Sequence, residues 1–135
     1  MTLKILYGVQ GTGNGHIART RALLPALKNK DVEIDFVFSG RSEEDFFDMQ
    51  EYGNYRVFRG LTLIYKRGRL EIIKTVLTNN LFTFIGDVIS LNTANYDLVI
   101  SDFEPITAWS TRLKGKSCVA LSHQCAFDYD IPRAK

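Results

Sequence analysis

Residues 3–10 form an apolar run, Leu3 to Gln10, that leads straight into Gly11-Thr12-Gly13-Asn14-Gly15-His16. The next twelve residues carry apolar groups at 17, 20 (the Thr20 methyl), 23, 24 and 27, the period of a helix. The chain must therefore open as strand, glycine turn and helix. Glycines let the backbone turn tightly and bring its N–H groups close to a ligand, and a helix start adds partial positive charge there. An anionic ligand is the first expectation.

The remainder alternates strands with helices. The runs Val32 to Phe38 and Asp97 to Asp102 read as strands, with Ser117 to Ser122 as another. After Ser39-Gly40-Arg41, Ser42 reads as a helix N-cap with Asp45 at the capping-box position and Phe46, Phe47 and Met49 as the buried side. Tyr55 to Phe58 and Leu61 to Tyr65 read as an irregular third strand around Arg59-Gly60. From 69 to 92 an apolar stripe predicts a helix or helix pair, broken near Asn79-Asn80 or at Gly86. Glu71, Lys74, Asn79, Asn80 and Asp87 interrupt it, so it does not read as a membrane span. Pro105 suits the first turn of a short helix over 106–113. These elements imply an α/β, Rossmann-like, doubly wound parallel sheet with helices on both faces, and 135 residues make one such domain, 1–135.

Composition adds exclusions. The formal charge is +2, from 17 Lys+Arg against 15 Asp+Glu, too balanced to argue for a nucleic-acid partner. Cys118 and Cys125 lack C-x-x-C spacing and nearby histidines, so reduced thiols are expected, with no metal site and no cofactor. Lys4 and a strand stand where a secretory leader would need a long apolar stretch, which predicts a cytoplasmic protein.

In such sheets ligands bind beyond the carboxyl ends of the strands. The glycine loop with His16, the turn with Ser39 and Arg41, the segment Ser101-Asp102-Phe103-Glu104 and Ser122-His123-Gln124 all fall at that edge. A Walker A loop is excluded because no Gly-Lys-Ser/Thr follows. A dinucleotide fingerprint begun at Gly11 has His16 where its third glycine should be, and the strand Val32 to Phe38 ends in Ser39-Gly40-Arg41 without an acid for an NAD ribose. Arg41 facing an NADP 2′-phosphate survives as an alternative, as does a binding module without catalysis.

Gly11-Thr12-Gly13-Asn14-Gly15-His16, continued by an Ala-Arg helix, resembles the N-terminal motif of GT-B glycosyltransferases, in the branch that makes lipid II with N-acetylglucosamine and its uncharacterised bacterial and archaeal relatives. Asp97 to Pro105 and Ala120 to Gln124 resemble later signatures of the same N-terminal half. Asn14 departs from the glycine of the lipid II branch, which leaves the acceptor open.

The resemblance implies a fragment of a two-domain enzyme. This half would bind the acceptor, and a nucleotide-sugar domain absent from the chain would complete the site, so the fragment alone is expected to be inactive. It implies transfer of a hexosyl or N-acetylhexosaminyl group from a nucleotide-sugar donor to an acceptor hydroxyl, with inversion, on a lipid-linked or glycan acceptor. A neutral imidazole suits the proton abstraction, a helix start favours that neutral form, and related enzymes have a catalytic histidine at such a loop, so His16 is the candidate base. Asp102 or Glu104 would orient it, the alternative for either being an N-cap before Pro105. Gly11, Thr12, Gly13, Asn14, Gly15, Ser122, His123 and Gln124 are the candidate acceptor or phosphate contacts, His123 competing with a role in satisfying nearby backbone groups. Lys66, Arg67 and Arg69 around Gly68 read as a solvated turn, or as a contact with a lipid phosphate or the inner face of a membrane.

Overall fold

Alternation along the first strand decides which layer each helix joins. The computed structural model describes residues 1–121. In β1 (Leu3–Gln10) successive side chains face opposite sides of the sheet. Tyr7 and Val9 enter one core with Phe36, Phe38, Met49 and Tyr52 under Ile17 and Leu24 of α1 (Asn14–Lys28). Leu6 enters the other with Val37, Val99, Val88, Leu91 and Ile106. Each fully buried aliphatic side chain of this kind contributes about 1.5–3 kcal/mol.

Among the described residues five parallel strands form the sheet: β1, β2 (Val32–Ser39), β3 (Tyr55–Phe58), β6 (Leu98–Asp102) and β7 (Cys118–Ala120), in the order β3-β2-β1-β6-β7. Gln10 pairs with Ser39, and Val9 with Asp102, so the three central strands finish level. The order reverses between β1 and β6. That switch point is where a doubly wound sheet opens a crevice.

Three segments depart from the expected elements. Instead of a helix after Ser42 there are two 3-10 turns, Glu43–Asp45 and Met49–Tyr52, separated by Asp48 in the left-handed region at φ 55°. The Ser42 side chain makes no cap bond, and Asp45 N–H donates to the Ser42 carbonyl. Met49 is buried and Phe46 half-buried, but Phe47 stands in solvent. Residues 61–64 are not a strand. Gly60, at φ 59° against Ser39, sends the chain across the carboxyl end of β2 instead of alongside it. There its backbone is satisfied by side chains: Thr62 N–H donates to Asn79 Oδ1 at 2.8 Å and Ile64 N–H to Thr75 Oγ1 at 3.1 Å. Only β4 (Tyr65–Lys66) and β5 (Arg69–Leu70) pair, as a small antiparallel hairpin.

The apolar stripe is two helices, α2 (Ile72–Thr78) and α3 (Leu81–Ser90), meeting at 78°. The break is at Asn79-Asn80. Asn79 is held by residue 62, and the Asn80 side chain caps α3 by accepting from Thr83 N–H at 3.1 Å. Gly86 lies inside α3 without interrupting it. Helix α4 (Pro105–Leu113) follows β6 directly.

Candidate active site

The glycine loop is locked on one side and open on the other. Gly11 N–H donates to Ser39 O at 2.6 Å, and a Cβ on Gly11 would run into that carbonyl and the Phe46 ring. Glycine is required there by close approach. Gly13 and Gly15 face open space. Gly13 precedes α1 without a side-chain cap bond, so the helix starts with its positive end uncovered by a side-chain cap. Arg41 braces the loop: Nε donates to Gly11 O, Nη2 donates to Asn14 Oδ1 at 2.8 Å, and the guanidinium lies over Phe46.

His16, in the first turn of α1, crosses the switch point to the end of β6. Its Nδ1 lies 2.7 Å from Asp102 Oδ1. Arg19, one turn along α1, donates from Nε to Asp102 Oδ2 at 3.2 Å and from Nη2 to Oδ1. Asp102 is fully buried. Burial alone would raise its carboxyl, but hydrogen bonds from His16 and Arg19, with the Arg19 charge, outweigh it and hold the carboxyl below the ordinary aspartate range. Asp102 is thus a carboxylate, and an ionised oxygen at 2.7 Å requires a proton on Nδ1. The Arg19 Nη2 contact with Nδ1, at 3.1 Å, then cannot be a donation to a lone pair. In a neutral ring Nε2 is then the unprotonated nitrogen.

Phe103 completes the arrangement. Its ring stacks on that of His16 at 5.9 Å and 5°. It does so from φ 56°, a left-handed conformation that a bulky residue adopts at a cost of about 1–3 kcal/mol. The turn separates the two carboxylates. Glu104 does not reach His16. It is the N-cap of α4, accepting from Ile106 N–H at 2.8 Å, Thr107 N–H at 2.6 Å, Thr107 Oγ1 at 2.6 Å and Ser39 Oγ at 2.6 Å. Burial pushes its carboxyl up, against those hydrogen bonds.

A cleft of about 340 Å³ opens over this edge, lined by Gln10, Thr12, Gly13, Gly15, His16, Leu63, Tyr65 and Phe103. It contains four of the residues expected from the sequence: Thr12, Gly13, Gly15 and His16. Gly11 lies beneath the loop and Asn14 lines a neighbouring cleft with Arg41. Ser122, His123 and Gln124 lie outside the described residues. Arg19, Gln10, Leu63 and Tyr65 escaped the sequence reading as site residues, while Phe103 was placed at this edge within the segment 101–104 but given no role. Arg19 was detectable in principle, three residues after His16 on one helix face. Leu63 and Tyr65 arrive by the crossing of 61–64, which no local pattern announces. Among the described residues no cluster of His, Cys, Asp and Glu could hold a metal ion.

A histidine fixed in one tautomer by a buried carboxylate, at the edge of an open cleft, can accept a proton through Nε2. The comparisons with known proteins bear on what kind of molecule carries it. The computed fold is similar to MurG from Acinetobacter baumannii, with a TM-score of 0.50 at 13% identity over 89% of this chain, which spans 34% of that one. No curated protein matches the chain significantly. The model of the family described as glycosyl transferase family 1 matches residues 3–131, nearly the whole sequence, and the chain belongs to that family.

Proposed function

We propose that this chain is the acceptor-binding, Rossmann-like half of an inverting glycosyltransferase and that His16 is its base. The observation that carries the reading is the 2.7 Å contact between His16 Nδ1 and the buried Asp102 at the switch point, with the same ring lining the cleft. An acceptor hydroxyl in the cleft gives its proton to His16 Nε2 as its oxygen attacks the anomeric carbon. The bond from that carbon to the nucleotide phosphate breaks, and the nucleoside diphosphate leaves. Asp102 stabilises the imidazolium formed in between. The glycine loop and uncapped start of α1 would face phosphate, on the acceptor or the donor. A second domain, outside this chain, would bind the nucleotide sugar, and the group moved would be a hexosyl or N-acetylhexosaminyl unit.

The acceptor side of the proposal includes a membrane, with the protein peripheral at its cytoplasmic face. Ile73, Leu77, Phe82, Ile85 and Ile89 of α2 and α3 are exposed, Phe82 by 89%. Among the described residues no single helix is long and apolar enough to cross a membrane, although the bent pair together has the length and composition. Lys66, Arg67 and Arg69 lie at the exposed hairpin immediately before it. Apolar side chains beside basic ones suit an anionic lipid surface.

The test of the base is His16→Ala in the enzyme assembled with its donor half. Transfer should fall by about 10²–10⁴-fold with the fold intact by circular dichroism. Unchanged turnover would remove His16 from the mechanism.

A further inference from the structure

A charge as buried as that of Asp102 needs a cation or several hydrogen-bond donors beside it, because an unpaired charge removed from water is costly. Among the described residues, two side chains hydrogen-bond it, His16 and Arg19. If His16 were that cation, its ring would carry two protons and could take no third. Arg19 is different in kind: a guanidinium keeps its charge at any working pH. It meets both oxygens of Asp102 while Nη2 comes to 3.1 Å from His16 Nδ1.

The other elements around the pair supply no competing cation among the described residues. From β1, Tyr7 is held as a neutral phenol by burial. From the hairpin, Tyr65 lines the cleft. From the β6–α4 turn come the apolar ring of Phe103 and Glu104, the latter spent on the α4 N-terminus and Ser39.

We propose that Arg19 is the standing counter-ion of Asp102, which frees the His16 ring to stay neutral and take up the acceptor's proton. Arg19 is then a positioning residue: it acts on the reaction through the charge state of its neighbour. The inference builds on the reading of His16 as base, but its own test needs no turnover. Nitrogen-15 NMR of the His16 ring distinguishes a neutral imidazole protonated at Nδ1 from an imidazolium protonated at both nitrogens.

On the full chain at neutral pH, the native ring should show the neutral pattern. Arg19→Gln, which keeps a hydrogen-bonding side chain but no charge, should convert it to the imidazolium pattern. Arg19→Lys should leave it neutral. Arg19→Gln combined with Asp102→Asn, which removes both charges, should restore neutrality, a rescue that a merely structural role for Arg19 would not give. In the assembled enzyme, Arg19→Gln should move the acidic limb of the kcat/KM profile to higher pH, lowering activity at neutral pH by about tenfold or more. A neutral ring in Arg19→Gln, or no rescue by the double change, overturns the proposal. If His16→Ala retains transfer while these NMR shifts appear, the base assignment fails and the counter-ion role of Arg19 stands.

Discussion

At the scale of single residues, the site is organised by where each carboxylate can go. Asp102 ends β6 and faces α1; Glu104, two residues on, faces α4. The left-handed turn at Phe103 sends them to different partners. From the sequence both were candidates to orient His16, because spacing alone does not reveal a turn made by a residue that rarely adopts it. The pairing also sets a pH dependence. Asp102 is held below its unfolded value, so its contribution to stability is present above an unfolded pKa of about 3.9 and lost as pH falls through the folded value. Urea unfolding from pH 7 down to 3 should show this loss, and Asp102→Asn should flatten that part of the curve. An unchanged acid limb would mean that other carboxylates dominate. His16 was legible because it follows a glycine loop; Arg19 was not singled out, since only its meeting with a strand end far along the chain gives it a role.

At the scale of elements, α4 packs closely against the sheet beside the site. Gly8 of β1 sits opposite α4, and a Cβ there would collide with the Thr107 side chain and the Glu104 carboxylate. Gly8→Ala should therefore destabilise by about 1–3 kcal/mol, as overpacking does, measurable as a lowered urea midpoint. Glu104→Ala should cost a similar amount, about 1–3 kcal/mol, by leaving buried donors unpaired. If either substitution is neutral in urea, α4 is free to shift and the packing argument fails. The helix break at Asn79-Asn80 was legible because asparagine caps helices. The failure of 61–64 to form a strand was not, because β-type residues there find their hydrogen-bond partners on Asn79 and Thr75 instead of on a neighbouring strand.

At the scale of the whole molecule, two surfaces face outward for function, the switch-point cleft and the apolar face of α2 and α3. If that face meets lipid, the chain should sediment with vesicles containing anionic lipid and much less with zwitterionic ones. Phe82→Glu with Leu77→Glu should abolish binding without unfolding, since both side chains are already exposed. Lys66, Arg67 and Arg69 changed together to Glu should weaken it and remove its salt dependence. Equal binding by the native chain and these variants would dismiss the membrane contact. The sequence by itself determined the α/β architecture, the central strand and the glycine loop that closes it, because apolar period and glycine placement are local properties that each segment carries alone. The tertiary structure decided which acid holds His16, that Arg19 joins it, that Arg41 braces the loop, and that the hairpin walls the cleft. Those outcomes depend on strand order and register, which bring residue 16 to residue 102, and on crossings whose energies arise only between segments distant along the chain.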